Sequence, residues 1–68
     1  MLFGENFKNC RLDMHLSQKE VAVKLGIHQS NVSDWENDIS RPEYEKLIQL
    51  AEIYKVSLYE LLGVEERY

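Results

Sequence analysis

The stretch SQKEVAVKLGIHQSNVSDWEN, residues 17–37, determines the predicted fold because it contains the signals for two short helices and the turn between them. Ser17 followed three residues later by Glu20 is the sequence pattern of a capping box. Gly26 can adopt the left-handed backbone conformation that ends a helix. A helix is therefore predicted from about Gln18 to Leu25, with three apolar residues facing the core: Val21, Ala22 and Leu25.

A second helix is predicted from about Gln29 to Asn37, after a tight turn through Ile27. Val32 and Trp35 lie three residues apart and mark its inner face. The opposite face is short, polar and nearly uncharged, with four members: Ser30, Ser33, Asp34 and Asn37. Such a face suits a helix that inserts into a groove of another molecule.

The flanking sequence is predicted to be helical as well. Phe3, Phe7, Cys10 and Met14 recur at spacings of four, three and four residues, which places them on one stripe of a first helix. Downstream, Pro42 suits the first turn of a fourth helix. That helix would bury four residues: Leu47, Leu50, Ala51 and Tyr54.

A short fifth helix is predicted to open with a second capping box, Ser57 with Glu60, and to end at Gly63. It would carry Leu58, Leu61 and Leu62. Since the sequence has neither an alternating apolar strand nor an Asn-Gly hairpin signal, we predict an all-α fold of five helices with a helix-turn-helix in helices two and three. Residues 1–68 would form one domain, with a partly frayed tail at 64–68.

The size and composition of the chain exclude several classes of function. A chain of 68 residues buries only about 60% of the surface that it exposes when unfolded, so there is no room for a deep enzyme cleft. No apolar run approaches the roughly 20 residues of a membrane span, and the N-terminus does not have the pattern of a signal peptide. The single cysteine, Cys10, gives no sign of an oxidising compartment. We expect a cytoplasmic protein without enzymatic activity, cofactor or membrane association.

The net charge of −4 is unevenly distributed along the chain. Residues 1–16 sum to zero and residues 17–41 to −1, so residues 42–68 carry the remaining −3. A surface for nucleic acid, which is itself acidic, is therefore expected in the first two-thirds of the chain.

The segments LSQKEVAVKLGIHQSNVSDWENDISRP (16–42) and LIQLAEIYKVSLYELLG (47–63) resemble the lambda-repressor and Cro family, also called XRE-type regulators. The resemblance implies a lambda-repressor-like DNA-binding domain. It also implies binding to operator sites in double-stranded DNA, usually as a two-fold dimer with the third helix in the major groove.

Residue roles follow from the same resemblance. It implies that three side chains read bases: Gln29, Ser30 and Asp34. It implies contacts to the DNA backbone by six more: Ser17, Gln18, Asn31, Ser33, Asn37 and Arg41. It further implies that Arg11 and Glu36 form an internal ion pair between helices one and three, which would make the 17–41 segment formally neutral.

The proposed base-reading residues have suitable chemistry. Glutamine can bind adenine through two hydrogen bonds, serine can donate or accept, and a carboxylate such as that of Asp34 can accept from cytosine N4. Phosphate contacts supply most of the affinity, and few lysines and arginines are available here. We therefore expect modest affinity and a shallow salt dependence, with one phosphate held at the N-terminus of helix two.

Several positions depart from the family pattern, and three of them lie at helix ends and turns. His15 and Asp38 stand where glycine is common, so both turns are predicted to hold a non-glycine residue in the left-handed region. His28 stands at the N-cap of helix three, where the family prefers serine, and a weaker cap is expected.

Some of these residues also admit other interpretations. Trp35 and the tyrosines are predicted to pack in the core rather than to stack on single-stranded bases, and Cys10 is predicted to be a buried small hydrophobe. His15 and His28 have no second ligand at metal-binding spacing, so no metal site is predicted.

The alternative function is an antitoxin-like or other protein-interaction module that covers a basic protein partner with acidic residues 43–68. A weak homodimer is also predicted through the last helix and tail, where apolar side chains exceed what one short helix can bury: Leu58, Tyr59, Leu62 and Val64.

Overall fold

The computed structural model describes residues 2–64, which form five α-helices. These are α1 (Gly4–Asp13), α2 (Gln18–Leu25), α3 (Gln29–Glu36), α4 (Tyr44–Tyr54) and α5 (Leu58–Leu62). The predicted all-α, five-helix fold is confirmed, and there is no β-strand within 2–64. Residues 65–68 of the predicted frayed tail lie outside the described part of the chain.

Helix α2 has the bounds and both end signals predicted from the sequence. Ser17 Oγ accepts from the Glu20 N–H at 3.0 Å, and the Glu20 carboxylate accepts from the Ser17 N–H at 3.0 Å. At the other end Gly26 has φ 68° and donates to the last turn of the helix. These hydrogen bonds pair N–H and C=O groups at the two ends of the helix, which have no hydrogen-bond partner within the helix itself.

The core lies where all five helices meet. In the described part of the chain, ten hydrophobic residues are buried there: Phe7, Val21, Ala22, Leu25, Val32, Trp35, Leu50, Ala51, Tyr54 and Leu61. The predicted stripe of α1 is confirmed, since Phe7 is buried and Phe3, Cys10 and Met14 pack against the core from its edge. Burial of this kind is the main favourable contribution to folding.

The start of α4 differs from the prediction. Pro42 lies two residues before the first helical residue, Tyr44, and Glu43 is the N-cap in an extended conformation. The prediction that Pro42 occupies the first turn was wrong, because the fixed φ of proline also suits an extended connection between two helices. Residues Leu50, Ala51 and Tyr54 are buried as predicted, and Leu47 is partly buried.

Helix α5 shows the Ser57 half of its predicted capping box. Ser57 Oγ accepts from the Glu60 N–H at 3.1 Å, and Gly63 ends the helix with φ 70°. Leu61 is completely buried, whereas Leu58 remains 41% exposed. The helix thus anchors to the core through Leu61, with Leu62 packed at the edge of the core, and presents Leu58 outward.

Among residues 2–64, three non-glycine residues occupy the left-handed region: His15, Asp38 and Lys55, with φ between 56° and 58°. The first two were predicted from the positions at which glycine is common in the resembled family. Lys55, the C-cap of α4, was not predicted. No helix within residues 2–64 is long and apolar enough to cross a membrane.

Candidate nucleic-acid interface

Helix α3 is anchored by one face and leaves its first turn open to solvent. Val32 is 1% exposed and Trp35 is 8% exposed, so the predicted inner face is confirmed. Gln29 and Ser30, on the first turn, are exposed. Asp34, one turn later, is half-buried but lies at the surface of the described chain.

The turn between α2 and α3 sets the angle between the two helices. Gly26 reverses the chain, and the Ile27 N–H donates to the Ala22 carbonyl at 3.0 Å. His28 caps α3 with extended backbone and makes no side-chain cap hydrogen bond, as expected for a weaker cap. Helix α3 therefore depends on its packing against α2 more than on its own N-terminal cap.

A buried ion pair ties α1 to the C-terminal end of α3. Arg11 Nε donates to Glu36 Oε2 at 2.7 Å, and Arg11 Nη2 donates to Glu36 Oε1 at 3.0 Å. Arg11 Nη1 also donates to the Leu16 carbonyl at 2.9 Å. The hydrogen bonds to the Glu36 carboxylate raise the pKa of Arg11, so the guanidinium stays charged.

Gln18 joins this ion pair. Its Nε2 donates to Glu36 Oε1 at 3.0 Å, and its side chain is half-buried. The Gln18 amide thus links the N-terminus of α2 to the C-terminus of α3. The DNA backbone contact that the resemblance implies for Gln18 stays a prediction. This hydrogen bond could not be predicted from the sequence, because Gln18 and Glu36 lie 18 residues apart and no local sequence pattern relates them.

Two other residues with implied backbone contacts hydrogen-bond to each other at the end of α3. Asn37 Nδ2 donates to the Ser33 carbonyl at 2.9 Å and to Ser33 Oγ at 3.3 Å. Asn37 is the C-cap of α3, which is one residue shorter than predicted. This bond closes the last turn, and Asn37 remains exposed beside it.

The loop after α3 is attached to the beginning of α1. Asp38 Oδ1 accepts from the N–H groups of Phe3 at 3.0 Å and Gly4 at 2.9 Å. The carboxylate thus satisfies donors at the helix N-terminus, where negative charge is favoured. A few residues on, the Arg41 guanidinium lies over the Phe3 ring, 5.1 Å from its centroid.

Internal contacts reduce the effect of the acidic residues in this region. Of the four carboxylates in residues 17–41, three bind groups of this chain: Glu20, Glu36 and Asp38. Hydrogen bonds from Ser17 lower the pKa of the Glu20 carboxyl. Each of these charges is therefore partly compensated before any nucleic acid approaches.

The remaining chemistry of the described residues does not form a reaction centre. Within 2–64, no three His, Cys, Asp or Glu side chains come together in a way that could hold a metal ion. Burial raises the pKa of the Cys10 thiol, with Asp13 and Glu60 adding to the shift. The thiol is thus held in its protonated form, which is the unreactive one.

A groove of about 210 Å³ lies beside α1, with a mostly apolar lining of Phe3, Phe7, Arg41, Pro42, Tyr44, Leu47 and Leu62. It brings no nucleophile next to a general base. The exposed first turn of α3 is therefore the best candidate for a functional surface.

The chain is similar to known helix-turn-helix proteins. A family model described as helix-turn-helix matches residues 7–61 of the chain. The HTH-type transcriptional regulator ImmR of Bacillus subtilis strain 168 is 38% identical over 66 residues, which cover 97% of this chain and 52% of ImmR. The HTH-type transcriptional activator BcrR of Enterococcus faecalis is 30% identical over 97% of this chain and 32% of its own length.

A solved structure shows the same fold. The crystal structure of a transcriptional regulator from Listeria innocua superposes with a TM-score of 0.84 at 27% sequence identity, covering 97% of this chain and 62% of that one. The chain spans about half the length of ImmR and of a second Bacillus subtilis relative, the uncharacterized HTH-type transcriptional regulator YqaE, to which it is 39% identical.

Proposed function

Since this chain belongs to the XRE-type helix-turn-helix family of transcriptional regulators, we propose that residues 1–68 act as one domain that binds operator sites in double-stranded DNA. The family is one of non-enzymatic regulators, which agrees with the predicted lack of enzymatic activity. Binding would be sequence-specific, with α3 in the major groove.

The observation that carries the proposal is the exposure of Gln29 and Ser30 at the start of a helix whose other face is buried. A major groove about 12 Å wide admits one α-helix, and side chains near its N-terminus can then reach base edges. The buried residues Val32 and Trp35 hold α3 while leaving this first turn uncovered. Gln29 is suited to adenine, and Ser30 can donate or accept.

Asp34 is proposed as a third reading residue with a different preference. Its carboxylate can accept from cytosine N4 and disfavours the acceptors of guanine. Because it is half-buried one turn along α3, it would meet a base only after the first turn of the helix has entered the groove.

Contacts to the DNA backbone are proposed for Ser17, Gln18, Asn31, Ser33, Asn37 and Arg41. In this set only Arg41 carries a positive charge, so the dependence of affinity on salt should be shallow. The N-terminus of α2 can add one phosphate contact through backbone N–H groups. Ser17 lies beside these N–H groups, and its exposed hydroxyl already accepts from the Glu20 N–H.

We further propose that the domain binds as a two-fold dimer through α5 and the residues after it. Leu58 and Tyr59 are 41% and 43% exposed, and Leu62 and Val64 are half-buried next to them. A two-fold axis at this surface would set the recognition helices of two copies about 34 Å apart, one turn of DNA.

Selection of bound sequences from random duplexes, at two salt concentrations, tests the proposal directly. Gln29→Ala and Ser30→Ala should weaken binding to the selected duplex about fivefold or more without changing the melting temperature, given about 1–3 kcal/mol for a good base contact. Gln49→Ala, on the exposed side of α4, is the matched control and should bind as the wild type does. Selection that enriches no sequence, or equal binding by Gln29→Ala and Gln49→Ala, would refute specific recognition.

The alternative of a protein-interaction module rests only on the acidity of residues 43–68. Family membership does not favour it. A cytoplasmic location remains a prediction of the sequence.

A further inference from the structure

We infer that Phe3 is a positioning residue for DNA binding, because its ring holds the Arg41 guanidinium where it can meet a phosphate. Asp38 and Gly4 would in turn hold Phe3 in place. The inference rests on the proposed function, since it requires that DNA lie beside the loop after α3.

The first observation is the hydrogen bonding of Asp38. One carboxylate oxygen accepts from both Phe3 N and Gly4 N, at 3.0 and 2.9 Å. The acceptor lies 35 residues from Phe3 in sequence and only three before Arg41. Asp38 is itself fixed in the left-handed region at φ 58°, so its side chain has a defined direction from the end of α3.

The second observation is the close approach of backbones at Gly4. A Cβ atom added there would collide with the carbonyl oxygen of Glu36, so only glycine allows this contact. Glu36 is the last residue of α3 and is held by Arg11. The first turn of α1 is therefore seated on the last turn of the recognition helix.

The third observation is the placement of Arg41 over Phe3. The guanidinium carbon lies 5.1 Å from the ring centroid. The Phe3 ring also packs against the Phe7 ring, with centroids 6.5 Å apart and planes tilted by 36°. Phe7 is buried, so the platform under Arg41 is anchored in the core.

These contacts have a physical consequence for phosphate binding. An arginine loses side-chain conformational freedom when it binds a phosphate, and a guanidinium already held over an aromatic face loses less. A guanidinium over a ring can still donate hydrogen bonds in its own plane. The aromatic ring of Phe3 would thus increase the affinity supplied by Arg41 without touching DNA itself.

A double-mutant cycle separates positioning from a general structural effect. Phe3→Leu keeps an apolar side chain and removes the aromatic face, whereas Phe3→Tyr keeps the face. Phe3→Leu should weaken binding to the selected duplex about two- to fivefold, from the strength of an exposed cation–aromatic contact. It should have no effect in the Arg41→Ala background, and Phe3→Tyr should bind as the wild type does. Equal weakening by Phe3→Leu in both backgrounds overturns the inference.

A second pair of variants tests the role of Asp38 at constant net charge. Asp38→Asn keeps an oxygen that can accept from Phe3 and Gly4, and asparagine tolerates the left-handed region. Asp38→Gly tolerates the same backbone but has no acceptor. Asp38→Gly should bind DNA more weakly than Asp38→Asn, and equal binding by the two overturns the inference. Where Phe3→Leu does not fold, this pair alone decides.

All measurements are made at a temperature at which thermal denaturation shows each variant to be folded. If the wild type enriches no duplex, the proposed function fails and this inference fails with it. If the wild type binds a selected duplex and Arg41→Ala weakens binding, but the effect of Phe3→Leu is independent of Arg41, only the inference fails.

Discussion

Arg11 of α1 and Glu36 of α3 are joined by two parallel hydrogen bonds, at 2.7 and 3.0 Å, and both side chains are almost completely buried. Gln18 adds a third bond to the same carboxylate. Helices α1, α2 and α3 are thus joined through the carboxylate of Glu36.

Removal of one member of this pair should strongly destabilise the domain. Arg11→Met leaves the Glu36 carboxylate buried without its cation, which typically costs about 3–5 kcal/mol. That is a large part of the roughly 3–10 kcal/mol expected for a domain of this size. Urea denaturation measures the change, with Lys8→Met, an exposed cation of the same helix, as the control. A loss below about 1 kcal/mol for Arg11→Met would contradict the argument.

Gly4→Ala should destabilise the protein even though alanine normally favours a helix over glycine by about 1 kcal/mol. The added Cβ would meet the backbone of Glu36, which cannot move without shifting the end of α3. We expect a loss of about 1–3 kcal/mol in the free energy of unfolding, the usual cost of overpacking. Asn9→Ala, at an exposed position of α1, is the control. An unchanged or raised melting temperature for Gly4→Ala would argue against the close packing of α1 on α3.

The capping box of α2 predicts a specific acid sensitivity. Hydrogen bonds from the Ser17 backbone and side chain lower the pKa of the Glu20 carboxyl below its ordinary value of 4.5. Ionised Glu20 therefore stabilises the fold above that value, and the contribution is lost as the pH falls through the lower, folded-state pKa. Melting temperatures between pH 7 and pH 3 should fall more for the wild type than for Glu20→Gln, which cannot ionise. Identical pH profiles would show that this carboxylate does not contribute.

The proposed dimer makes a prediction about two tyrosines. Tyr59 is 43% exposed on α5, and Tyr44 is 87% exposed at the start of α4. Tyr59→Glu should abolish self-association of the protein, because it places a charge in the apolar contact between the two copies. Sedimentation equilibrium measures this as the loss of a concentration-dependent rise in molecular mass. Tyr44→Glu, the same substitution outside that surface, should leave the association intact. A wild type that stays monomeric at high micromolar concentration, alone and with operator DNA, would exclude this dimer.

The parts of the fold that could be predicted from the sequence are those determined by local contacts. Ser17, Glu20 and Gly26 set the ends of α2 through bonds that span only a few residues. The apolar stripe of α1 followed from helical periodicity in the same way. The start of α4 was misplaced because Pro42 is compatible with two local conformations, and the local sequence does not distinguish them.

The parts that could not be predicted depend on residues far apart in sequence. The bond from Gln18 to Glu36 spans 18 residues, and the bonds from Phe3 and Gly4 to Asp38 span 35 and 34. The resemblance to a family supplied the Arg11–Glu36 pair, but it gave no indication of the acceptor role of Asp38. A left-handed aspartate after the recognition helix was expected only to replace a glycine, whereas here it also caps another helix.

Trp35, on the buried face of α3, is the chain's single tryptophan. Its indole emission should therefore respond directly to whether α3, the proposed recognition helix, is packed on the rest of the bundle. Detachment of α3 would bring the ring into water and shift its fluorescence to longer wavelength, whereas a ligand on the opposite face would leave the ring shielded. The protein thus contains an intrinsic optical reporter for the packing of this helix, without any added label.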